Sequence, residues 1–275
     1  MSKILDGKKL SEKIFSDLKV KLTELKFKPV LSIIICGNNP ASILYASIKE
    51  KKGLEIGISV NIYNFPENVV EKIIIKKIKE LNHTSNGIII QLPLPSNLNA
   101  KKIINVIYPY KDVDGLTALN LGNTLIGDEK LVPATPKGII KLIEKYNIHI
   151  KGKYVVIVNH SNVIGKPLAA MMLKRNATVT VCHDFTKNLA EYTKKADILI
   201  TAVGKKNLIT SDMVKEGAVV IDAGITIKGK KIFGDVDFDE VKKKASFITP
   251  VPGGIGPMTV VMLMENVVIS CTKQK

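Results

Sequence analysis

Apolar residues recur along the chain in two interleaved patterns, and their order predicts the architecture. From Leu5 to Leu25 they fall at helical spacing, and Val30–Cys36 is an unbroken β-rich run that stops at the turn formers Gly37, Asn38, Asn39 and Pro40. A helix is predicted from Ser42 to about Ile56. It is followed by a strand over Ser59–Phe65, a helix over Val69–Asn82, and a strand over Gly87–Gln91 stopped by Pro93 and Pro95. Continuous apolar strands separated by helices are the mark of a parallel sheet covered on both faces. A helix over Pro133–Tyr146, with Thr135 as N-cap and Pro136 in its first turn, joins this half to the next.

The second half repeats the alternation with shorter elements. Its strands are expected at Tyr154–Val158, Thr178–Cys182, Ile198–Ala202 and Val219–Asp222, with helical segments beginning near Gly165, Leu189 and Ser211. Val251–Thr259 is rich in glycine and proline, whereas Val260–Ser270 is apolar enough to be a helix that returns to the first half. The expected fold is therefore α/β, with two domains, each a mostly parallel sheet flanked by helices, the second Rossmann-like. The expected division is 1–132, completed by a C-terminal helix over 258–275, and 133–257.

Composition narrows the classes of function. A chain of 275 residues with 45% hydrophobic residues can bury large cores, and with no Trp and 5% aromatics those cores must be Ile, Val and Leu. No stretch reaches the ~18 unbroken apolar residues of a membrane span, and Met1–Leu10 lacks the apolar segment of a signal peptide. The expectation is a cytoplasmic protein without a membrane partner. Cys36, Cys182 and Cys271 are too scattered for a disulfide framework or a thiolate metal site and read as small buried hydrophobes. The net charge of +16 suggests nucleic acid at first sight, but Arg175 is the only arginine and the lysines are spread along the whole chain. Nucleic-acid binders concentrate charge and use arginine forks, so no nucleic acid is expected; the charge instead steers anionic ligands.

Polar residues at the ends of the apolar runs carry the candidate chemistry. Ser42, Tyr45 and Lys49 fall along one side of a helix that begins just after a strand-end loop. A lysine on a helix is ordinarily a solvated surface group, but a partly desolvated amine has a depressed pKa and can exchange protons with substrate or water. Gln91 ends the run GIIIQLPLP, where its amide can hold an amine or a water without adding charge. Asp112 and Asp114 sit in KDVDGL beside the turn-permitting Gly115. No histidine or further carboxylate stands close by in sequence, so a metal is not expected; a carboxylate accepting from an aminopyrimidine-like ring is the alternative. His83 and His149 read as surface or loop groups, while His183 can border a cofactor. The stretch YVVIVNHSNVIGKPLAAMML is strand, turn, helix, with Ser161 and Gly165 placed for close approach to a pyrophosphate at a helix start. Asn159 stands where a first glycine is expected, so the fingerprint is incomplete.

Taken together, these residues resemble the bifunctional methylenetetrahydrofolate dehydrogenase/methenyltetrahydrofolate cyclohydrolase family. The matching stretches are NPASILYASIKEK at 39–51, GIIIQLPLP at 87–95, YKDVDGL at 110–116, PATPKGI at 133–139, HSNVIGKPL at 160–168 and TPVPGGIGPMT at 249–259. The resemblance runs over essentially the full length. It implies oxidation of 5,10-methylenetetrahydrofolate to the methenyl form and hydrolysis of that form to 10-formyltetrahydrofolate, with a monofunctional NAD-dependent dehydrogenase as the alternative. It implies a folate site between two domains, a nicotinamide cofactor on the second, a homodimer, and tetrahydrofolate derivatives, polyglutamylated forms included, as substrates. By the same resemblance Lys49 is the catalytic lysine, Gln91 positions it, Tyr45 stacks on folate and Asp114 grips the pterin. Ser42, Pro252, Gly253 and Gly254 shape the pocket, and Asn159, His160, Ser161, Gly165, Asp184 and Ile225 meet the cofactor.

The chain departs from the family at that cofactor. Asn159 and His160 replace the common glycine and basic or small residue, and Asp184 stands where NADP users tend to have Ser or Arg. A carboxylate there can accept from ribose hydroxyls but repels a 2′-phosphate, and His160, Lys166 and Lys187 are near enough in sequence to offset it. The resemblance favours NADP and the local charge favours NAD; NADP is the first expectation and NAD the alternative.

Overall fold

The computed structural model describes residues 2–229 and 231–272. In chain order the strands are β1 Lys3–Ile4, β2 Val30–Cys36, β3 Ser59–Phe65, β4 Gly87–Ile90, β5 Tyr154–Val158, β6 Thr178–Cys182, β7 Ile198–Thr201, β8 Val219–Asp222, β9 Thr226–Lys228, β10 Lys231–Phe233 and β11 Phe247–Ile248. They fall into two compact units. One comprises Met1–Glu12, Leu125–Gly127 and Thr135–Thr259; the other comprises Lys13–Thr124, Asp128–Ala134 and Val260–Lys275.

The first of these holds a six-stranded sheet in the order β1-β11-β8-β7-β5-β6, parallel at every pairing. Val155, Val156 and Ile157 on β5 and Leu199 and Ile200 on β7 are fully buried, as the unbroken apolar runs require of a central parallel strand. From β5 the chain winds outward to β6, then crosses to β7 on the other side of β5 and continues to β8. Strand order thus reverses between β5 and β7, the place where open α/β sheets bind ligands at their carboxyl ends. The two-residue β1 adds to β11 in the register Lys3↔Phe247 and Ile4↔Ile248, and so ties the N-terminus to this sheet rather than to the rest of the first 132 residues. A strand that short leaves no periodicity to read. β9 and β10 form a separate antiparallel pair.

Two local expectations on this unit are corrected. The helix Ala134–Lys145 begins before Thr135, so Thr135 lies in its first turn, not at the N-cap, and its hydroxyl instead pairs with that of Thr259 at 3.0 Å. The helical segments expected near Leu189 and Ser211 begin at those residues and are short, a helix over Leu189–Thr193 and a single 3₁₀ turn over Ser211–Met213. The C-terminal helix expected to start at 258 starts earlier: it runs from Ile255 to Thr272, beginning just after Gly253, which has φ +106°. Pro257 in its first turn costs no hydrogen bond.

The other unit holds a three-stranded parallel sheet in the order β3-β2-β4, with all seven residues of β2 paired to β3. The helix Pro40–Ile56 starts two residues earlier than the spacing predicted, because Pro40 suits a first turn and Asn39 caps it, accepting from Ala41 N at 3.0 Å and Ser42 N at 3.1 Å. It ends at Gly57 in the left-handed region. From Val260 onward the C-terminal helix belongs to this unit. By length and composition it could cross a membrane, yet 61% of it is buried inside the protein. Val261, Met262, Met264 and Val267 are each without exposure, so it is a core helix. Residues 273–275 of the helix expected over 258–275 lie outside the described residues. Cys36, Cys182 and Cys271 are all buried and free, and burial pushes the Cys36 thiol up to about 11, as befits packing groups rather than nucleophiles.

Candidate active site

The loop after β2 feeds directly into the Pro40–Ile56 helix, which sets Ser42, Tyr45 and Lys49 along one side of its first three turns. Gln91 lies just beyond β4, its N–H extending the ladder to Ile34 O at 2.9 Å. Helix and strand end converge there: Lys49 Nζ donates to Gln91 Oε1 at 2.9 Å. The amide is oriented for this by its other end, since Gln91 Nε2 donates to Leu92 O at 3.1 Å. The same carbonyl accepts a longer bond of 3.4 Å from Ser42 Oγ, which itself is buried. Burial lowers the Lys49 pKa from that of an ordinary lysine, against the opposing pull of the Asp114 charge. Burial raises Asp114 in turn, against the charge of Lys49 and with a smaller push from Asp112. Each group is thus driven toward its neutral form by desolvation and back toward its charged form by the other. Tyr45 is half-buried beside them, its hydroxyl pKa raised by burial.

The two aspartates of KDVDGL divide their roles. Asp112 is fully enclosed and structural: its Oδ2 accepts from Thr117 N at 2.7 Å and from Asn120 Nδ2 at 2.9 Å. Asp114 is the one coupled to Lys49. Its backbone is held by a residue that the sequence pattern did not single out, Asn266 on the C-terminal helix, whose Nδ2 donates to Val113 O at 2.8 Å and to Val132 O at 2.9 Å. An asparagine inside an apolar helical run is the available signal for such a buried stitch. Among the described residues no group of three or more His, Cys, Asp or Glu is placed to hold a metal ion.

In the six-stranded unit, a cleft of about 390 Å³ opens at the carboxyl ends of β5, β6 and β7, at the reversal of strand order. Asn159, His160, Ser161 and Asp184 line it, and Val203 and Lys205, which follow the AVG stretch after β7, line it as well. The His160 and His183 rings lie 5.0 Å apart at its rim. Asn159 takes the place of a glycine by a different device. Its Oδ1 accepts from Ser161 N at 2.9 Å, Ser161 Oγ at 2.8 Å and Gly165 N at 3.0 Å, while its Nδ2 donates to Ala202 O at 2.6 Å. The side chain therefore closes the turn and caps the helix Gly165–Lys174. Gly165 does not line the cleft. It is buried against the turn, where a Cβ would overlap the Asn159 carbonyl, so its contribution is close helix–strand packing. Ile225 is partly exposed after β8, with its carbonyl near Gly204. Lys166 is turned to Asn162 Oδ1 at 2.8 Å. Pro252, Gly253 and Gly254 also belong to this unit, where Gly253 O accepts from Lys8 N at 2.8 Å and a Cβ on Gly7 would overlap Gly254 O. A cleft of this size at the switch point, with close backbone approach and polar groups suited to hydroxyls and phosphates, fits a dinucleotide.

A doubly wound parallel sheet with such a cleft, carried in one chain with a second parallel sheet bearing a desolvated lysine, defines a two-unit α/β protein of the nucleotide-binding enzyme class. Family models agree in detail: the tetrahydrofolate dehydrogenase/cyclohydrolase catalytic domain matches residues 5–114, and the NAD(P)-binding domain of the same enzymes matches residues 133–275. The chain is 50% identical to the bifunctional protein FolD of Thermodesulfovibrio yellowstonii, with 100% of this chain and 98% of the relative covered. The crystal structure of the bifunctional FolD methylenetetrahydrofolate dehydrogenase/cyclohydrolase from Campylobacter jejuni superposes with a TM-score of 0.97 at 45% identity over 100% of both chains. That of the Trypanosoma brucei dehydrogenase-cyclohydrolase, complexed with NADP and an inhibitor, superposes at 0.95 and 32% identity over 99% of this chain and 98% of its own. The chain belongs to the tetrahydrofolate dehydrogenase/cyclohydrolase family.

Proposed function

We propose that this protein oxidises 5,10-methylenetetrahydrofolate to 5,10-methenyltetrahydrofolate with NADP and hydrolyses the methenyl form to 10-formyltetrahydrofolate. The observation that carries the reading is the Lys49–Gln91 bond at 2.9 Å with Asp114 coupled to the same amine, in a chain that also holds a dinucleotide cleft. A bound nicotinamide supplies the acceptor for the hydride that leaves the methylene carbon, a step governed by how closely two rings are held. Asp114 accepts from the N–H groups of the pterin and Tyr45 packs on the folate ring, with Ser42 shaping its surroundings.

Hydrolysis is the step that needs proton handling. Water adds to the methenyl carbon and loses a proton to the Lys49 amine, which Gln91 keeps aimed through its carbonyl oxygen. The adduct opens by breaking the bond from carbon to N5, which takes up a proton, leaving the formyl group on N10. Of the two water protons, one ends on N5 and one in solvent. Burial favours the neutral amine that can accept the first of them.

Cofactor choice rests on the rim of the cleft, where Asp184 disfavours a 2′-phosphate while His160, His183 and Lys205 line the same space. NADP is the proposed cofactor and NAD the alternative that Asp184 supports. The proposed setting is the cytoplasm, as a homodimer acting on tetrahydrofolate derivatives that include polyglutamates. Reduction of NAD and NADP followed at 340 nm in parallel, together with loss of methenyltetrahydrofolate absorbance, tests the reading. Both activities are expected, with NADP the faster substrate. Hydride transfer without hydrolysis above the spontaneous rate would replace this reading by the monofunctional one.

A further inference from the structure

Asp235 takes no part in the chemistry above and has no surface exposure, yet its carboxylate is saturated by donors from one stretch of chain. Oδ2 accepts from Thr201 Oγ1 at 2.8 Å and Val203 N at 2.6 Å, and Oδ1 accepts from Gly204 N and Lys205 N, each at 2.8 Å. Three successive backbone N–H groups converging on an anion form a nest, here made possible by Gly204 at φ +82°. This loop leaves the carboxyl end of β7 at the reversal of strand order, and its Val203 and Lys205 line the dinucleotide cleft. A second segment of chain is registered on the same carboxylate. Gly224, between β8 and Ile225, packs so closely that a Cβ would overlap the Asp235 carboxyl group, and a Cβ on Gly204 would stand 3.3 Å from Ile225 O. Asp222 at the end of β8 completes the arrangement, accepting from Gly224 N at 2.9 Å and Val236 N at 2.8 Å.

We propose that Asp235 is a positioning residue of the dinucleotide site, a buried internal anion that fixes the Val203–Lys205 loop and the Gly224–Ile225 segment at the spacing the cofactor requires. Peptide planarity turns the Val203 and Gly204 carbonyls away from Asp235, since their partner N–H groups point at it. A loop so oriented offers acceptors to hydroxyl and amide donors and has no free N–H for a phosphate. The effect of Asp235 is therefore on the part of the cofactor common to NAD and NADP. An amide cannot replace the carboxylate, because its NH₂ would face two of the four donors.

The inference rests on the proposed activity, and the test separates the two. In Asp235→Asn, the KM for NAD and for NADP should rise by the same factor, at least about tenfold for the loss of charge-assisted bonds. Hydrolysis of methenyltetrahydrofolate, which uses no dinucleotide, should stay within about twofold and so reports that the chain is folded. A KM within twofold of the parent, or a change confined to NADP, overturns the assignment. If Asp235→Asn fails to fold, Thr201→Val and Gly224→Ala decide. The first removes one donor and the second displaces the carboxylate, so both should raise the two KM values together with hydrolysis kept. Loss of both activities in proportion would make Asp235 a general fold residue. Calorimetric titration with NADP gives Kd without turnover, and equal Kd in parent and variant overturns the inference even if the parent transfers no hydride.

Discussion

In the three-stranded unit side chains meet side chains across long sequence distance, Lys49 with Gln91 and, through charge, with Asp114. In the six-stranded unit side chains meet backbone: Asn159 and Asp235 take up the N–H groups of the turns that follow β5 and β7. The first arrangement perturbs protonation, and burial shifts both Lys49 and Asp114. The second fixes the shape of a cleft. One chain thus keeps its proton chemistry and its ligand geometry in separate hardware, and substitutions in each should fail differently.

The largest effect is expected at Lys49. Lys49→Met keeps length and packing but removes the amine held by Gln91, so hydrolysis of methenyltetrahydrofolate should fall ~10²- to 10⁴-fold, the usual worth of a positioned proton-transfer group. Folate binding, followed by titration calorimetry, should survive. A variant that hydrolyses within a few-fold of the parent would remove the proton chemistry from this unit and with it the contrast.

Asp114→Asn comes next. Losing a charge-assisted acceptor in an enclosed site should cost about 2 to 5 kcal/mol in both activities. The pH profile adds a signature. Asp114 is the charge that raises the Lys49 pKa against burial, so its removal lets that pKa fall further. A limb due to Lys49 in the hydrolysis pH–rate profile should therefore move to lower pH in the variant, and a shift to higher pH would contradict the pairing.

Polar residues at the ends of apolar runs are the legible part of this molecule. Lys49, Gln91 and Asp114 each follow a recognisable strand or loop, and the alternation of runs displays the parallel sheets. The backbone-holding groups were not legible. Asp235 and Asn266 act through main-chain atoms 30 or more positions away, and Asn266 through Val113 and Val132. No local spacing encodes such partners. Asn159 looked like a missing glycine because a pattern of residue types does not say that an amide side chain can close the same turn. The N-terminal strand is not legible because Lys3–Ile4 spans only one period of strand alternation, and a single period shows no repeat.

Asn159→Ala sharpens the comparison from the other side. It strips acceptors from Ser161 N and Gly165 N and the donor from Ala202 O. Denaturant melts should show a loss of about 1 to 3 kcal/mol, the cost of buried polar groups left unmade. The accompanying kinetic change should be in KM for the dinucleotide and not in hydrolysis. Unchanged stability would mean that the turn is held by backbone alone.

The smallest effect is expected at Asp184, exposed at the rim where it lines the cleft beside His160 and His183. Its charge meets solvent, so its repulsion of a 2′-phosphate is screened and worth about 1 kcal/mol or less at 4 Å in water. Asp184→Ser should therefore raise kcat/KM for NADP relative to NAD by only a few-fold, about fivefold at that energy, and by less as salt is added. The direction holds whichever cofactor the parent prefers, because both are measured on the same enzyme and only the phosphate differs. Methenyltetrahydrofolate hydrolysis should not move, since it transfers no hydride. An NADP:NAD ratio unchanged at low salt would place Asp184 away from the phosphate, and selectivity would then pass to His160, Lys166 or Lys187.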